Sequence, residues 1–152
     1  MTKAKQVTAR KFNPEAVTWT MRVWHEDEAP EDHFDLGDEE ETTECVNEIR
    51  EAVEGGPGRA PNVWAWCRVR VEARWAGFTG YGGPIGCVSE ESEQTWRETS
   101  GYYQDLCSEA LSHLLSEIDS AGWRDVLDVD PEDLNVAVQR GIQVAETVYG
   151  DA

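Results

Sequence analysis

Between residues 62 and 75, small apolar side chains alternate with large or charged ones. Val63, Ala65, Cys67, Val69, Val71 and Ala73 form one set; Trp64, Trp66, Arg68, Arg70, Glu72 and Arg74 form the other. A period of two over so long a run specifies a strand with two unlike faces. The small apolar face would meet helices, and the other would present two tryptophans and three arginines. A second strand is expected at residues 16–24, where Val17, Trp19, Met21 and Val23 share a face. Ile85 to Ser89 reads as a short third strand after a glycine-rich turn at residues 77–86.

Helical spacing is clearest at residues 102–119. There Tyr103, Leu106, Cys107, Ala110, Leu111, Leu114, Leu115 and Ile118 repeat every three or four positions, with Ser100 available as a cap. A helix capped by Thr42-Thr43 would bury a stripe of Cys45, Val46, Ile49, Ala52 and Val53 and stop at Gly55. A last helix starts at Asp130-Pro131, buries Leu134, Val138, Ile142, Ala145 and Val148, and ends at Gly150. The expected fold is α+β: a small, mostly antiparallel sheet with about three helices packed mainly on one face. Residues 1–14 read as a basic arm, and residues 15–150 as a single domain with an acidic loop at 26–44.

Charge is the feature with most to say about partners. The 152 residues carry 31 acidic and 13 basic side chains, a formal charge of -18. Residues 26–54 hold fourteen carboxylates against Arg50 alone, and residues 102–152 are the second reservoir. Direct binding of nucleic acid or an anionic membrane needs the opposite sign. No run of 18 apolar residues spans a bilayer, and the polar start lacks a signal-peptide core, so a cytoplasmic location is expected.

No catalytic motif is present, and the chain is not expected to be an enzyme. Cys45, Cys67, Cys87 and Cys107 lack the close pairing of zinc sites and read as reduced thiols, three of them on apolar faces. An EF-hand loop set on Gly37 fails, because Phe34, Leu36 and Thr43 fall at ligand positions. Weak cation binding near His25 and His33 stays open, but no metal or cofactor is expected. The stripe of Trp64, Trp66, Arg68, Arg70 and Arg74 could stack bases, although internal pairing of its arginines fits the overall charge better.

The motifs Trp64-Ala65-Trp66-Cys67, Gly77-Phe78-x-Gly80, Gly86-Cys87-x-Ser89 and Gly101-Tyr102-Tyr103-x-Asp105-Leu106-x-x-Glu109-Ala110-Leu111 cover about a third of the chain. In these the sequence resembles small acidic proteins of bacteriophages and other mobile elements. The resemblance implies action in a host cytoplasm against a defence enzyme, of the anti-restriction or anti-CRISPR type.

Eighteen charges equal about 31 Å of duplex, or roughly nine base pairs, and a compact chain of this length is about 38 Å across. Mimicry of nucleic acid by the whole charge therefore requires both reservoirs on one side. The expected contacts with a basic, nucleic-acid-binding protein are Glu26, Asp27, Glu28, Glu31, Asp32, Asp35, Asp38, Glu39, Glu40, Glu41 and Glu44, joined by Asp125, Asp128, Asp130, Glu132 and Asp133. The alternative is an acidic adaptor or inhibitor that uses aromatic contacts, Trp24, Trp64, Trp66 and Tyr102. A saline habitat is a third source of the charge, compatible with three lysines against ten arginines. Oligomeric state stays open, a homodimer being one option.

Overall fold

A computed structural model describes residues 11–123, 127 and 129–150. Most of the basic arm, with Asp125 and Asp128, lies outside the described residues. Four strands form one mixed sheet in the order β3-β2-β1-β4: β1 is Thr18–His25, β2 Cys67–Trp75, β3 Phe78–Val88 and β4 Glu146–Tyr149. β1 and β3 pair antiparallel with β2, whereas β4 pairs parallel with β1. Among the described residues there are five α-helices rather than about three. They are α1 (Pro30–His33), α2 (Glu39–Glu54), α3 (Glu93–Thr99), α4 (Tyr102–Ser120) and α5 (Pro131–Val144).

The β1–β2 alternation delivers one apolar face, on which Trp19, Met21, Val23, Val69, Val71 and Ala73 are buried. α4 and α5 cover it with Tyr103, Leu106, Ala110, Leu114, Ile118, Ala137 and Val138, forming one continuous core. The expected stripe of α4 is buried throughout except at half-buried Leu115. Gly101 stands at its N-cap, and Ser100 contributes its Oγ to the amide of Tyr102 (3.2 Å).

The glycine-rich stretch is a strand, not a turn. Ala76 and Gly77 alone make the hairpin, both at positive φ (49° and 86°), as a two-residue connection with right-handed strand twist requires. Gly80 and Gly82 belong to β3 because α4 lies against the strand's own backbone. A Cβ on Gly82 would overlap the carbonyl of Leu106, and one on Gly80 the backbone at Ala110 and Leu114. Gly141 serves α5 in the same way, since a Cβ there would sit 2.6 Å from the Trp19 indole.

The C-terminal helix stops at Val144, and residues 146–149 turn into an edge strand instead of continuing to Gly150. Ala145 and Val148 repeat at helical spacing, but Thr147, Val148 and Tyr149 are β-formers that find an open edge on β1. Arg97 secures the arrangement from α3, which begins at its Ser92 cap. Its guanidinium donates to Tyr103 Oη (2.8 Å), Ala145 O (2.9 Å) and Thr147 Oγ1 (2.8 Å).

The expected strand at 62–75 begins later than its pattern. Asn62 caps a 3₁₀ turn at Val63–Ala65, and the strand proper starts at Cys67. That turn breaks the alternation, so Trp64 joins the core at 3% exposure and does not face the arginines' side.

Substituting Gly82→Ala should lower unfolding stability by about 3 kcal/mol, because the α4 backbone at Leu106 and Ala110 blocks the new methyl. Gly56→Ala, with open space around it, should stay within about 0.5 kcal/mol. Urea midpoints for the two variants check this, and equal midpoints would contradict the close α4–β3 approach.

Candidate functional site

The acidic run expected as a loop at 26–44 is half helix: residues 30–33 and 39–44 are helical, and 26–29 and 34–38 are irregular connections. α2 starts at Glu39, three residues before the expected cap, because Asp38 accepts hydrogen bonds from the amides of Glu40 (2.8 Å) and Glu41 (3.2 Å). Glu39, Glu40 and Glu41 then occupy the first turn, at the positive end of the helix dipole. The preceding residues are pinned as well: Leu36 N donates to Thr42 Oγ1 and Gly37 N to Asp35 Oδ1, both at 3.0 Å.

α2 buries Val46, Ile49 and Ala52 at the end of the sheet where β1 finishes and β2 begins. Its outer surface carries Glu41, Glu44, Glu48 and Glu51, all exposed and spaced three, four and three residues apart. Such spacing lines them in one stripe about 15 Å long at ~1.5 Å rise per residue. Among the described residues, no basic side chain pairs with any of these four. The ion pair in this region joins Arg50 of α2 to Glu31 of α1. A hydrogen bond from its own backbone, and then Arg50, hold the Glu31 carboxyl below the usual carboxylate range.

The remaining expected contacts divide. Asp27, Glu31, Asp32, Asp35, Asp38, Glu39, Glu40, Glu41 and Glu44 are exposed on this end of the molecule. Glu26 is turned inward: its side chain is 5% exposed, accepts from Cys87 N at 2.7 Å and lies 3.9 Å from Arg68 Nε. Asp130, Glu132 and Asp133 open α5. Tyr103, at the start of α4, donates to Gly141 O near the end of α5 (3.1 Å), so the helices run antiparallel. The first turn of α5 therefore lies toward the other end of the sheet, where Trp123 packs on Phe78. Asp130, Glu132 and Asp133 therefore stand apart from the carboxylates of α2.

The sheet's second face is basic and aromatic. Arg22 lies directly opposite Arg70 across the β1–β2 ladder, a repulsive register by itself. Glu72, 2% exposed, resolves it by pairing with Arg22, with Arg74 Nη2 at 3.2 Å and with Arg70 Nη2 at 3.5 Å. Arg70 also stacks between Trp24 (5.6 Å) and Tyr81 (4.8 Å). Arg22, Arg70 and Arg74 are thus paired internally around one carboxylate, and Arg68 lies beside Glu26.

Of the expected aromatic contacts, Trp24 is half-buried on this face and Tyr102 is 54% exposed beside Trp96. Trp66 is interior at 4% exposure, like Trp64, and neither offers an indole to a partner.

A third cluster closes the acidic end. Trp66 Nε1 donates to Glu28 O (2.7 Å), and His33 and Phe34 pack on the same indole, each 5.7 Å away by ring centroids. This holds residues 28–34 against the end of β3. Glu28 Oε2 accepts from the thiol of Cys87 at 2.8 Å, and His33 completes a group whose ligating atoms lie within 4.8 Å of one another. Desolvation, then the Glu28 hydrogen bond and the charge of Glu26, push the Cys87 thiol up to about 12. The sequence left weak cation binding open near His25 and His33 but gave no hint of Cys87, which only the β1–β2–β3 register brings to His33. Neither Cys67 nor Cys107 resembles it: both are buried, and burial pushes each thiol up to about 12.

Comparison with protein-family models, with curated proteins and with solved structures finds no match to this chain. No helix of the described residues is long and apolar enough to cross a membrane.

Removing the shared counter-ion should be costly. Glu72→Ala leaves three arginines facing one another and should destabilise the fold by about 3–5 kcal/mol, more than Glu146→Ala on the exposed edge strand, at about 0.5 kcal/mol or less. Urea unfolding measures both, and a Glu72 variant as stable as the Glu146 variant would contradict the keystone role.

Proposed function

We propose that this protein is an acidic inhibitor that imitates a stretch of nucleic-acid backbone and occupies the basic binding surface of another protein. The observation that carries the reading is the carboxylate stripe of α2. It is fixed by the Asp38 cap and the buried Val46–Ile49–Ala52 face, and it is unneutralised by the basic groups described. A solvated tail of the same charge would lose entropy on docking, whereas a preformed helix has its charges spaced beforehand. The mimic is local: one helix and its flanking turn, not the 31 Å of duplex that the whole charge would equal.

A target with a positive cleft would be steered in quickly, and the complex would weaken with salt. The motif resemblance to phage proteins supports a host nucleic-acid-binding defence enzyme as the target, in the anti-restriction or anti-CRISPR manner. The aromatic-adaptor reading has less support, since two of its four anchors are interior.

The test is a host lysate passed over the immobilised protein, with a short DNA duplex or an uncharged polymer as the eluant. Mimicry predicts that the duplex displaces retained proteins and the polymer does not. It also predicts that the E41Q/E44Q/E48Q/E51Q variant retains at least about tenfold less, each lost charge contact in a complementary interface weakening binding. Retention undiminished in that variant, or duplex-insensitive, contradicts the proposal.

A further inference from the structure

We infer that Glu28, His33 and Cys87 form a binding site for a zinc-class divalent metal ion, which clasps the segment after β1 to the end of β3. Three different donor atoms, a carboxylate oxygen, an imidazole nitrogen and a thiol sulfur, converge within 4.8 Å from separate stretches of chain. With metal–ligand bonds of about 2.0–2.3 Å, the edges of a tetrahedral site are about 3.3–3.5 Å. The Cys87 Sγ–Glu28 Oε2 separation is 2.8 Å, a hydrogen-bond distance shorter than that edge, so the two atoms part by about half an ångström when a metal replaces the proton. Glu28 and His33 are exposed, which leaves room for the side-chain adjustment that closes the set.

The donor types decide the metal. Calcium and magnesium take oxygen ligands, whereas sulfur with imidazole selects zinc and its neighbours. Binding replaces the S–H bond of Cys87 with a metal–sulfur bond and sends the proton to solvent. The thiolate and the Glu28 carboxylate then balance a dipositive ion, with His33 neutral. Three protein ligands leave one tetrahedral position for water or a further ligand.

The backbone is arranged around the cysteine. Cys67 pairs with Val88 and Val69 with Ile85, so three steps along β3 face two along β2. This is a β-bulge at Gly86-Cys87, the device that re-aims a side chain at a strand end. Cys87 adopts φ +56°, a region that favours glycine. Its amide is anchored on the Glu26 carboxylate, and Glu28 and His33 are anchored on Trp66. These second-tier contacts fix the donors from behind, as the outer partners of a metal site do. They also explain an acidic residue, Glu26, that is turned away from the surface array.

The inference is independent of the proposed mimicry, and its test separates the two. The full chain, stripped of metal, is titrated with Co²⁺ as a spectroscopic probe and then with Zn²⁺. The expected result is a near-ultraviolet thiolate-to-cobalt absorption band that Zn²⁺ displaces. C87S should abolish the band, and H33A should weaken Co²⁺ binding by at least about tenfold, the loss seen even for outer-tier partners. C45S and the E41Q/E44Q/E48Q/E51Q variant should bind as the parent does. Zn²⁺ should raise the melting temperature of the parent by more than that of H33A at the same concentration. Because His33 is exposed, H33A keeps the test decisive if C87S folds poorly. No thiolate band, a band that C45S removes, or binding that H33A leaves intact would overturn the site.

Discussion

The contact on which the architecture rests is backbone against backbone: α4 lies directly on β3 over Gly80 and Gly82. Helices normally stand off a sheet by the length of two side chains. Here the missing Cβ atoms let α4 settle onto the edge strand, and its polar margin then reaches the strand's outward amides. His113 Nδ1 accepts from Tyr81 N (2.9 Å) and Glu109 Oε1 from Gly83 N (3.2 Å), which covers a sheet edge otherwise free to pair with another chain. With α4 so placed, Tyr103 reaches α5, Arg97 reaches β4, and the apolar face of the sheet is closed.

That closure is one-sided, and the charge distribution follows from it. Among the described residues no helix covers the opposite face of the sheet, and β1 and β2 fill it with long amphipathic arginines and with Trp24. Their stems cover the strands and their guanidinium groups share Glu72. Four arginines, Arg22, Arg68, Arg70 and Arg74, are therefore gathered on one face, and Glu41, Glu44, Glu48 and Glu51 of α2 are left without basic partners among the described residues. Separation of this kind keeps the acidic stripe from being quenched by the protein's own arginines.

Much of this was legible in the sequence, and the failures share a cause. Alternation at Val17–Trp19–Met21–Val23 and the eight-residue stripe of α4 identified elements that bury a regular face, and both are present. Glycine at 77–86 signals a turn when read locally. Its role at Gly80 and Gly82 is to admit another helix, which only tertiary structure reveals. Likewise Ala145 and Val148 continue a helical period, but the vacant edge of β1 makes them a strand. α3 was invisible because it buries a single large residue, Trp96, with no repeat. In the acidic segment, composition suggested a solvated loop, whereas one capping aspartate, Asp38, and three apolar residues sufficed to order the helix. The clasp residues Glu28, His33 and Cys87 carry no local pattern, since strand register alone assembles them.

The central claim is that the carboxylates of α2 are held in a fixed array rather than on a solvated loop. Amide hydrogen exchange across residues 39–54 of the full chain tests it most directly. The account predicts marked protection from Thr43 through Glu54, at the level of a packed helix, with the first-turn amides protected by the Asp38 cap. Exchange at the rate of an unfolded chain across Glu44, Glu48 and Glu51 would contradict it.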